Sequence, residues 1–240
     1  MRKSLIIITG ASSGIGEATA RLFSSLAYPL LLLARRQDRL EALGLPNTLC
    51  RSLDVTDRAA MLAAVQEAEQ KFGPADAVIN NAGIMLLGNM AHQDPAEWDA
   101  MLDVNVKGML NGIHAVLDGM VARQHGTIIN ISSIAGRKTF PSHAAYCGTK
   151  FAVHAISENL REEVSAHSVR VITIAPGAVE TDLLTHTSDQ AIKQEYDEWK
   201  REMGGVLTPG TIAETVRFAY EQPQNVCIRE IVVAATRQPA

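Results

Sequence analysis

The chain has 240 residues, 47% of them hydrophobic and 20% charged, which excludes a disordered protein and leaves room for a substantial core in one or two domains. Its formal net charge is −4 and it has no long block of lysine and arginine, so nothing in it marks a nucleic-acid footprint. The three cysteines, Cys50, Cys147 and Cys227, are far apart and odd in number, which argues against a disulfide framework or a zinc site and for a reducing, cytoplasmic setting.

Met1-Arg2-Lys3 ahead of apolar residues superficially matches a secretory leader, but the apolar run at 5–8 is too short and stops at Thr9-Gly10. That run, Leu5-Ile6-Ile7-Ile8, reads instead as a buried parallel strand. The sequence Thr9-Gly10-Ala11-Ser12-Ser13-Gly14-Ile15-Gly16 follows, then a helical pattern to Leu26. Glycines at 10, 14 and 16 permit a tight turn and let backbone lie close to a pyrophosphate at a helix N-terminus. Residues 29–34 form the second strand, and their leucine run is far short of the ~20 residues a membrane span needs.

The second strand ends in Arg35-Arg36. In a nucleotide-binding βαβ unit an acidic residue here selects a free ribose 2′-hydroxyl, whereas Arg35 and Arg36 offer forked donors for a 2′-phosphate, with Ser13 able to add a hydroxyl. The nearest acid, Asp38, reads as a helix cap with Glu41 three residues on. A weaker strand at 48–53 leads to Asp54-Val55, where Asp54 stands at the place an adenine amino group needs an acceptor, and a helix opens at Thr56-Asp57. The fourth strand, 75–79, runs into Asn80-Asn81-Ala82-Gly83, either a strand-ending turn or a floor of small groups under a cofactor. Asp94-Pro95-Ala96-Glu97 starts a long helical stretch to about Arg123, interrupted by Asn105 and Gly108.

The fifth strand, 127–132, delivers Ser133 at its end, and a helix to about His167 carries Tyr146 and Lys150. Standing four apart, those two side chains leave the same helix face, so a phenol, an ammonium and a hydroxyl can converge on one point. Such a group can protonate an oxygen while something else attacks the attached carbon. A tyrosine, whose ordinary pKa is ~10, needs ~4 kcal/mol to ionise readily near neutrality, and one ammonium ~4 Å away at an effective dielectric of ~20 supplies that order of energy. A sixth strand at 169–174 ends at Pro176-Gly177. Residues 178–208 read as a lid with a short amphipathic helix at about 190–203, and a helix at 211–221 and a strand at 229–234 close a single domain over 1–240. Met85, Leu86, His143, Leu183, Leu184 and the stretch after Thr185 are candidate substrate contacts.

Taken together and in this order, these motifs resemble the short-chain dehydrogenase/reductase family over nearly the whole chain. The resemblance implies a Rossmann-type α/β fold: a doubly wound, seven-stranded parallel sheet of order 3-2-1-4-5-6-7 with helices on both faces. It implies a catalytic tetrad of Asn105, Ser133, Tyr146 and Lys150, with Asn105 anchoring a water that relays protons to Lys150. It implies NADP(H) contacts from Gly10, Ser12, Ser13, Gly14, Ile15 and Gly16 in the glycine turn, and from Arg35, Arg36, Asp54 and Val55 around the adenosine. Asn81, Ala82, Gly83, Tyr146, Lys150, Pro176, Gly177, Val179 and Thr181 complete them. It also implies a homodimer or homotetramer. Arg35-Arg36 places the chain with NADP(H)-preferring members, and it is similar to clavulaldehyde-reductase-like members and to a blue-fluorescent NADPH-binding one. The end Ile228-Arg229-Glu230-Ile231-Val232-Val233 lacks the Asp-Gly-Gly of many fatty-acid-synthesis ketoreductases, which puts a carrier-protein substrate in doubt.

The expected activity is reversible hydride transfer between NADPH and a small carbonyl or alcohol, with no metal, membrane or nucleic acid involved. One rival is a sensor or scaffold that binds NADPH and turns over little, for which an intact Tyr146–Lys150 pair has no use. Another is an extended-family nucleotide-sugar epimerase, disfavoured by the Gly10/Gly14/Gly16 spacing and the short C-terminal part.

Overall fold

The computed structural model describes residues 3–239. Seven strands, β1 (Leu5–Thr9), β2 (Leu30–Ala34), β3 (Thr48–Ser52), β4 (Ala75–Asn80), β5 (Gly126–Ile131), β6 (Val169–Pro176) and β7 (Glu230–Val233), form one sheet in the order β3-β2-β1-β4-β5-β6-β7. Every pairing is parallel. Helices cover both faces, so the central strands are apolar at consecutive positions and alternate residues feed two cores. Leu5, Ile7, Leu31, Val78 and Ile128 pack on one side against α3 (Arg58–Phe72), α5 (Gly108–Ala122) and α6 (Ala144–Val164). Ile6, Ile8, Leu30, Ile79 and Ile129 pack on the other against α1 (Gly14–Ser25), α2 (Gln37–Ala42) and α8 (Pro209–Tyr220).

The chain leaves β1 toward β2 on one side and reaches β4 on the other, so the C-terminal ends of β1 and β4 border a crevice at a topological switch point. Thr9 closes its floor: its Oγ1 accepts the Asn81 and Ala82 N–H groups, each at 3.0 Å. The Asn81 amide donates back to the Thr9 carbonyl at 3.0 Å. Gly16 seals the same joint, since a Cβ there would lie 2.3 Å from the Gly10 carbonyl oxygen.

One expectation about a helix is corrected, and one is made specific. Asp38 caps nothing: α2 already begins at Gln37, with Arg36 in extended conformation as its N-cap residue and no side-chain cap. Asp38 therefore stands inside the first turn, where a carboxylate still favours the helix dipole. The stretch from 95 to 123 is α4 (Pro95–Leu102), a π-helical turn (Asp103–Lys107) and α5, and Asn105 lies in that π turn. Asp94 and Asp57 do cap α4 and α3, accepting from Ala96 and Ala60 N–H groups.

Candidate active site

A cavity of about 780 Å³ runs along the strand ends from Arg35 and Arg36, past the glycine turn, to Ser133, Tyr146 and Lys150. The turn is shaped for close approach. Gly10 and Gly14 have φ of +65° and +56°, and a Cβ on Gly10 would lie 2.8 Å from Ala82 Cα. Ser13, the N-cap of α1, makes no side-chain cap, so the first turn of the helix presents N–H groups to the cavity.

At the far end, one Arg36 guanidinium nitrogen donates to the Ser12 hydroxyl at 3.0 Å and the Ser13 hydroxyl at 3.1 Å. The Arg35 guanidinium has no hydrogen bond to the protein among the described residues, and Asp38 does not line the cavity. Glycine turn, open helix N-terminus and unopposed arginines together fit a dinucleotide carrying a 2′-phosphate. Between the ends, Asp54 Oδ1 accepts the Thr56 N–H at 2.9 Å, a bond that holds its carboxyl below the usual range.

At the near end, Ser133 is extended at the close of β5 and opens a 3₁₀ turn (Ile134–Gly136). Its Oγ accepts the Ala135 N–H at 3.1 Å. Ser132 differs: buried, its hydroxyl donates to the Lys150 carbonyl at 3.2 Å. Lys150 Nζ donates to the Ile131 carbonyl at 3.1 Å and lies 5.8 Å from the centre of the Tyr146 ring. Burial pushes Tyr146 well above its ordinary pKa, Tyr196 pushes it the same way, and Ser133 pulls it back. Lys150 is pulled down to about 8 by burial. The expectation that Lys150 lowers Tyr146 is therefore not met, because the ammonium is itself buried and drawn toward the Ile131 carbonyl.

That buried charge has a stability consequence. The unfolded chain holds the Lys150 proton up to 10.5 and the folded chain only to about 8, so this group's contribution to stability rises with pH between those values and is at its lowest below about 8. Lys150→Met keeps most of the volume and removes the charge. It is expected to stabilise the fold at neutral pH by ~1–2 kcal/mol, after allowance for the lost Ile131 hydrogen bond. Denaturant titration at neutral pH reads it, and a destabilised variant would refute the assignment of a burial cost.

Two of the catalytic and cofactor residues inferred from sequence do not line the cavity. Gly16 packs β1 against α1. Asn105 lies behind the wall: its Oδ1 accepts the Ile84 N–H at 2.8 Å, and its Nδ2 donates to the Ile84 carbonyl at 2.9 Å and the Thr149 hydroxyl at 3.1 Å. Ala82 and Gly83 line the cavity ahead of it, as do Val55 and Asn81. Ile15, Pro176, Gly177, Val179 and Thr181 also line it.

Of the candidate substrate contacts, Met85, His143, Leu183 and Leu184 line the cavity, whereas Leu86 packs beside it and its carbonyl accepts from Gln93 at 2.8 Å. The segment after β6 covers this end with a 3₁₀ turn (Asp182–His186) and α7 (Gln190–Glu202). Thr187 pins it, its buried hydroxyl donating to the Met85 carbonyl at 3.2 Å and accepting the Leu87 N–H at 3.1 Å. Sequence reasoning missed an aromatic wall. Phe140 stands 5.6 Å from His143, His143 stands 6.3 Å from Tyr196, and Tyr196 stands 5.2 Å from Trp199, ring centre to ring centre. The three-residue spacing of Tyr196 and Trp199 on a helix was the available signal. Burial lowers the His143 pKa, which keeps the ring neutral on this wall.

Among the described residues no group of histidine, cysteine and carboxylate side chains is placed to hold a metal, and no helix is long and apolar enough to cross a membrane.

The family model described as short chain dehydrogenase matches residues 4–192. An uncharacterized oxidoreductase of Staphylococcus saprophyticus is 39% identical over 244 residues, covering 99% of this chain and 98% of that one. Among solved structures, the closed form of a serine dehydrogenase complexed with NADP+ superposes with a TM-score of 0.90 at 31% identity, covering 98% of this chain and 96% of that one. An alcohol dehydrogenase from Thermococcus sibiricus complexed with 5-hydroxy-NADP gives 0.86 at 27% identity, with 99% of each chain covered.

Proposed function

The chain belongs to the short chain dehydrogenase family, and from that premise we propose that it is an NADP(H)-dependent oxidoreductase acting on a small carbonyl or alcohol, with Tyr146 as the proton donor and acceptor. The observation that carries the reading is the meeting of Ser133, Tyr146 and Lys150 at one end of a cavity whose other end is Arg35 and Arg36. Bound NADPH supplies the hydride. Tyr146, kept protonated by its burial, gives its proton to the developing alkoxide. Ser133 donates a hydrogen bond to the same oxygen. Lys150 holds positive charge below about pH 8 behind the phenol, and the family resemblance supports a bond from it to the nicotinamide ribose.

Asn105 has both amide atoms engaged, so it holds the Ile84 backbone and α6 in place. A proton-relaying water on the way to Lys150 then needs backbone oxygens, and the π turn is where helix carbonyls lose their regular partners. The exposed apolar side chains Leu102, Leu110 and Phe151, on α4, α5 and α6, support assembly into a dimer or tetramer. The narrower likeness to clavulaldehyde-reductase-like and blue-fluorescent members rests on sequence resemblance and fixes no substrate.

The test is loss of nicotinamide absorbance when purified protein, NADPH and a panel of aldehydes and ketones are mixed. Turnover of none, with tight NADPH binding, would favour the sensor reading. A second test is cofactor choice. A hydrogen bond to a charged group contributes ~1.5–3 kcal/mol, so Arg35→Ala is expected to weaken NADPH by ~10- to 100-fold and leave NADH almost unchanged. Arg36 already braces Ser12 and Ser13, so losing it as well should cost more than Arg35 alone without simple additivity. Both arginines are exposed, so added salt should erode the preference. Fluorescence titration with each cofactor reads it, and equal affinities of the wild type for NADPH and NADH would sink the phosphate clamp.

A further inference from the structure

The tail beyond β7 turns back over the end of β6. The Gln238 N–H donates to the Ala235 carbonyl at 2.8 Å, closing a turn that directs the Gln238 side chain at residues 176–178. Its Oε1 accepts the Ala178 N–H at 2.9 Å. The contact is close: a Cβ on Gly177 would stand 2.2 Å from that Oε1 and 3.0 Å from the Ala234 Cβ. Gly177 is itself tied to β7, its N–H donating to the Val233 carbonyl at 2.7 Å. The strand-end turn is thus gripped from two sides by the last ten residues of the described chain.

The other half of the amide has no such use. Gln238 is 9% exposed and lines the cavity, and its Nε2 is buried without a hydrogen-bond partner among the described residues. An unpaired buried donor is costly, and holding the Ala178 N–H needs only an acceptor, which a carboxylate or a smaller side chain on a shorter turn would provide. The amide therefore carries a donor that its protein neighbours do not explain. The residue itself borders the cavity. Gln238 sits on the Gly177–Ala178 turn just past β6, the strand beside β5 and Ser133, so it adjoins the end that the NADP(H) reading gives to the nicotinamide.

We propose that Gln238 is a cofactor-binding residue: Oε1 sets the Gly177–Ala178 turn, and Nε2 donates to a carbonyl oxygen at the nicotinamide end of bound NADP(H). The proposal rests on the NADP(H) reading above. It makes the C-terminal tail part of the site, not only a cover for the sheet edge, and the carboxamide of the nicotinamide is the acceptor of the required chemistry.

Gln238→Glu separates the two halves of the amide. Above the carboxylate range it keeps an oxygen for the Ala178 N–H at the same reach and replaces the donor with negative charge. Calorimetric titration with NADPH and with 2′-phospho-ADP-ribose, which has the adenosine, phosphate and pyrophosphate groups but no nicotinamide, locates the effect. Gln238→Glu is expected to weaken NADPH by about tenfold or more, the loss of one hydrogen bond plus repulsion of an acceptor, and to leave 2′-phospho-ADP-ribose within about twofold.

Unchanged NADPH affinity in Gln238→Glu would overturn the donor role. So would an equal loss for both ligands, because a distorted turn, not a missing donor, produces that pattern. A wild-type protein that binds neither ligand would refute the NADP(H) reading itself, whereas normal wild-type binding with an indifferent variant refutes the tail assignment alone.

Discussion

Tyr146→Phe is expected to lower kcat by ~10³-fold or more while NADPH affinity stays within a few-fold. The substitution removes one oxygen from a ring that is buried beside Met85, Ala135 and Cys147, so packing and cofactor space are preserved. What is lost is the phenol that α6 carries at the Ser133–Lys150 end; Tyr196 faces the same cavity from α7. The sign of the pH dependence follows from the upward shift of Tyr146, whose first cause is burial. The phenol keeps its proton at neutral pH, so carbonyl reduction should be flat through neutrality and alcohol oxidation should rise with pH. Steady-state rates in both directions, with NADPH titrated separately by fluorescence, check both parts. Near-normal turnover in the variant would remove Tyr146 from the mechanism.

The fold was legible because its signals are local. Apolar runs at 5–8 and 30–33 and the strand pattern at 75–79 are bounded by glycine, proline and asparagine, and strand and helix alternate along the chain. The helix caps at Asp57 and Asp94 were legible for the same reason. Asp38 was misread because the Asp-x-x-Glu spacing is satisfied equally well inside a helix that starts two residues earlier, at Gln37. The oddity of Asn105 was visible in the sequence, but not that its amide would be taken up by Ile84 and Thr149, the latter 44 residues away.

Side-chain direction is what the spacing of Tyr146 and Lys150 left open. Four residues put both on one helix face, yet the ammonium turns to a strand carbonyl and the phenol sits in a desolvated pocket, which reverses the expected pKa shift. Tyr196, Trp199 and Gln238 were missed for a related reason. An amphipathic helix and a polar tail carry no local mark of which cavity they will face, and only the packing of α7 and of β7 decides it.

Ser133→Ala is expected to lower kcat by ~10²-fold or more, the effect of removing one donor from an oxyanion site, with Ser132→Ala far milder. Both side chains line the cavity, so position alone does not choose between them. Hydrogen-bond direction does. The Ser132 hydroxyl gives its proton to the Lys150 carbonyl at 3.2 Å, within a tight joint where a Cβ on Gly136 would stand 2.9 Å from the Ser132 Oγ. Its loss should cost ~1 kcal/mol of stability and act on turnover only through the seating of α6. The Ser133 oxygen instead accepts from the Ala135 N–H, which fixes the oxygen and leaves its proton to donate. Its neighbour across the cavity is the Tyr146 phenol, whose ionised form it favours. A hydroxyl held in this way adds a bond when negative charge develops on a carbonyl oxygen, whereas Ser132 would first have to break one. Measuring kcat and the unfolding midpoint for both variants separates the two roles, since Ser133→Ala should lose far more rate than its lost cap bond accounts for, and Ser132→Ala should lower the midpoint with little change in rate. The opposite ranking would assign the oxyanion contact to Ser132 and place Ser133 in the 3₁₀ turn as a cap alone.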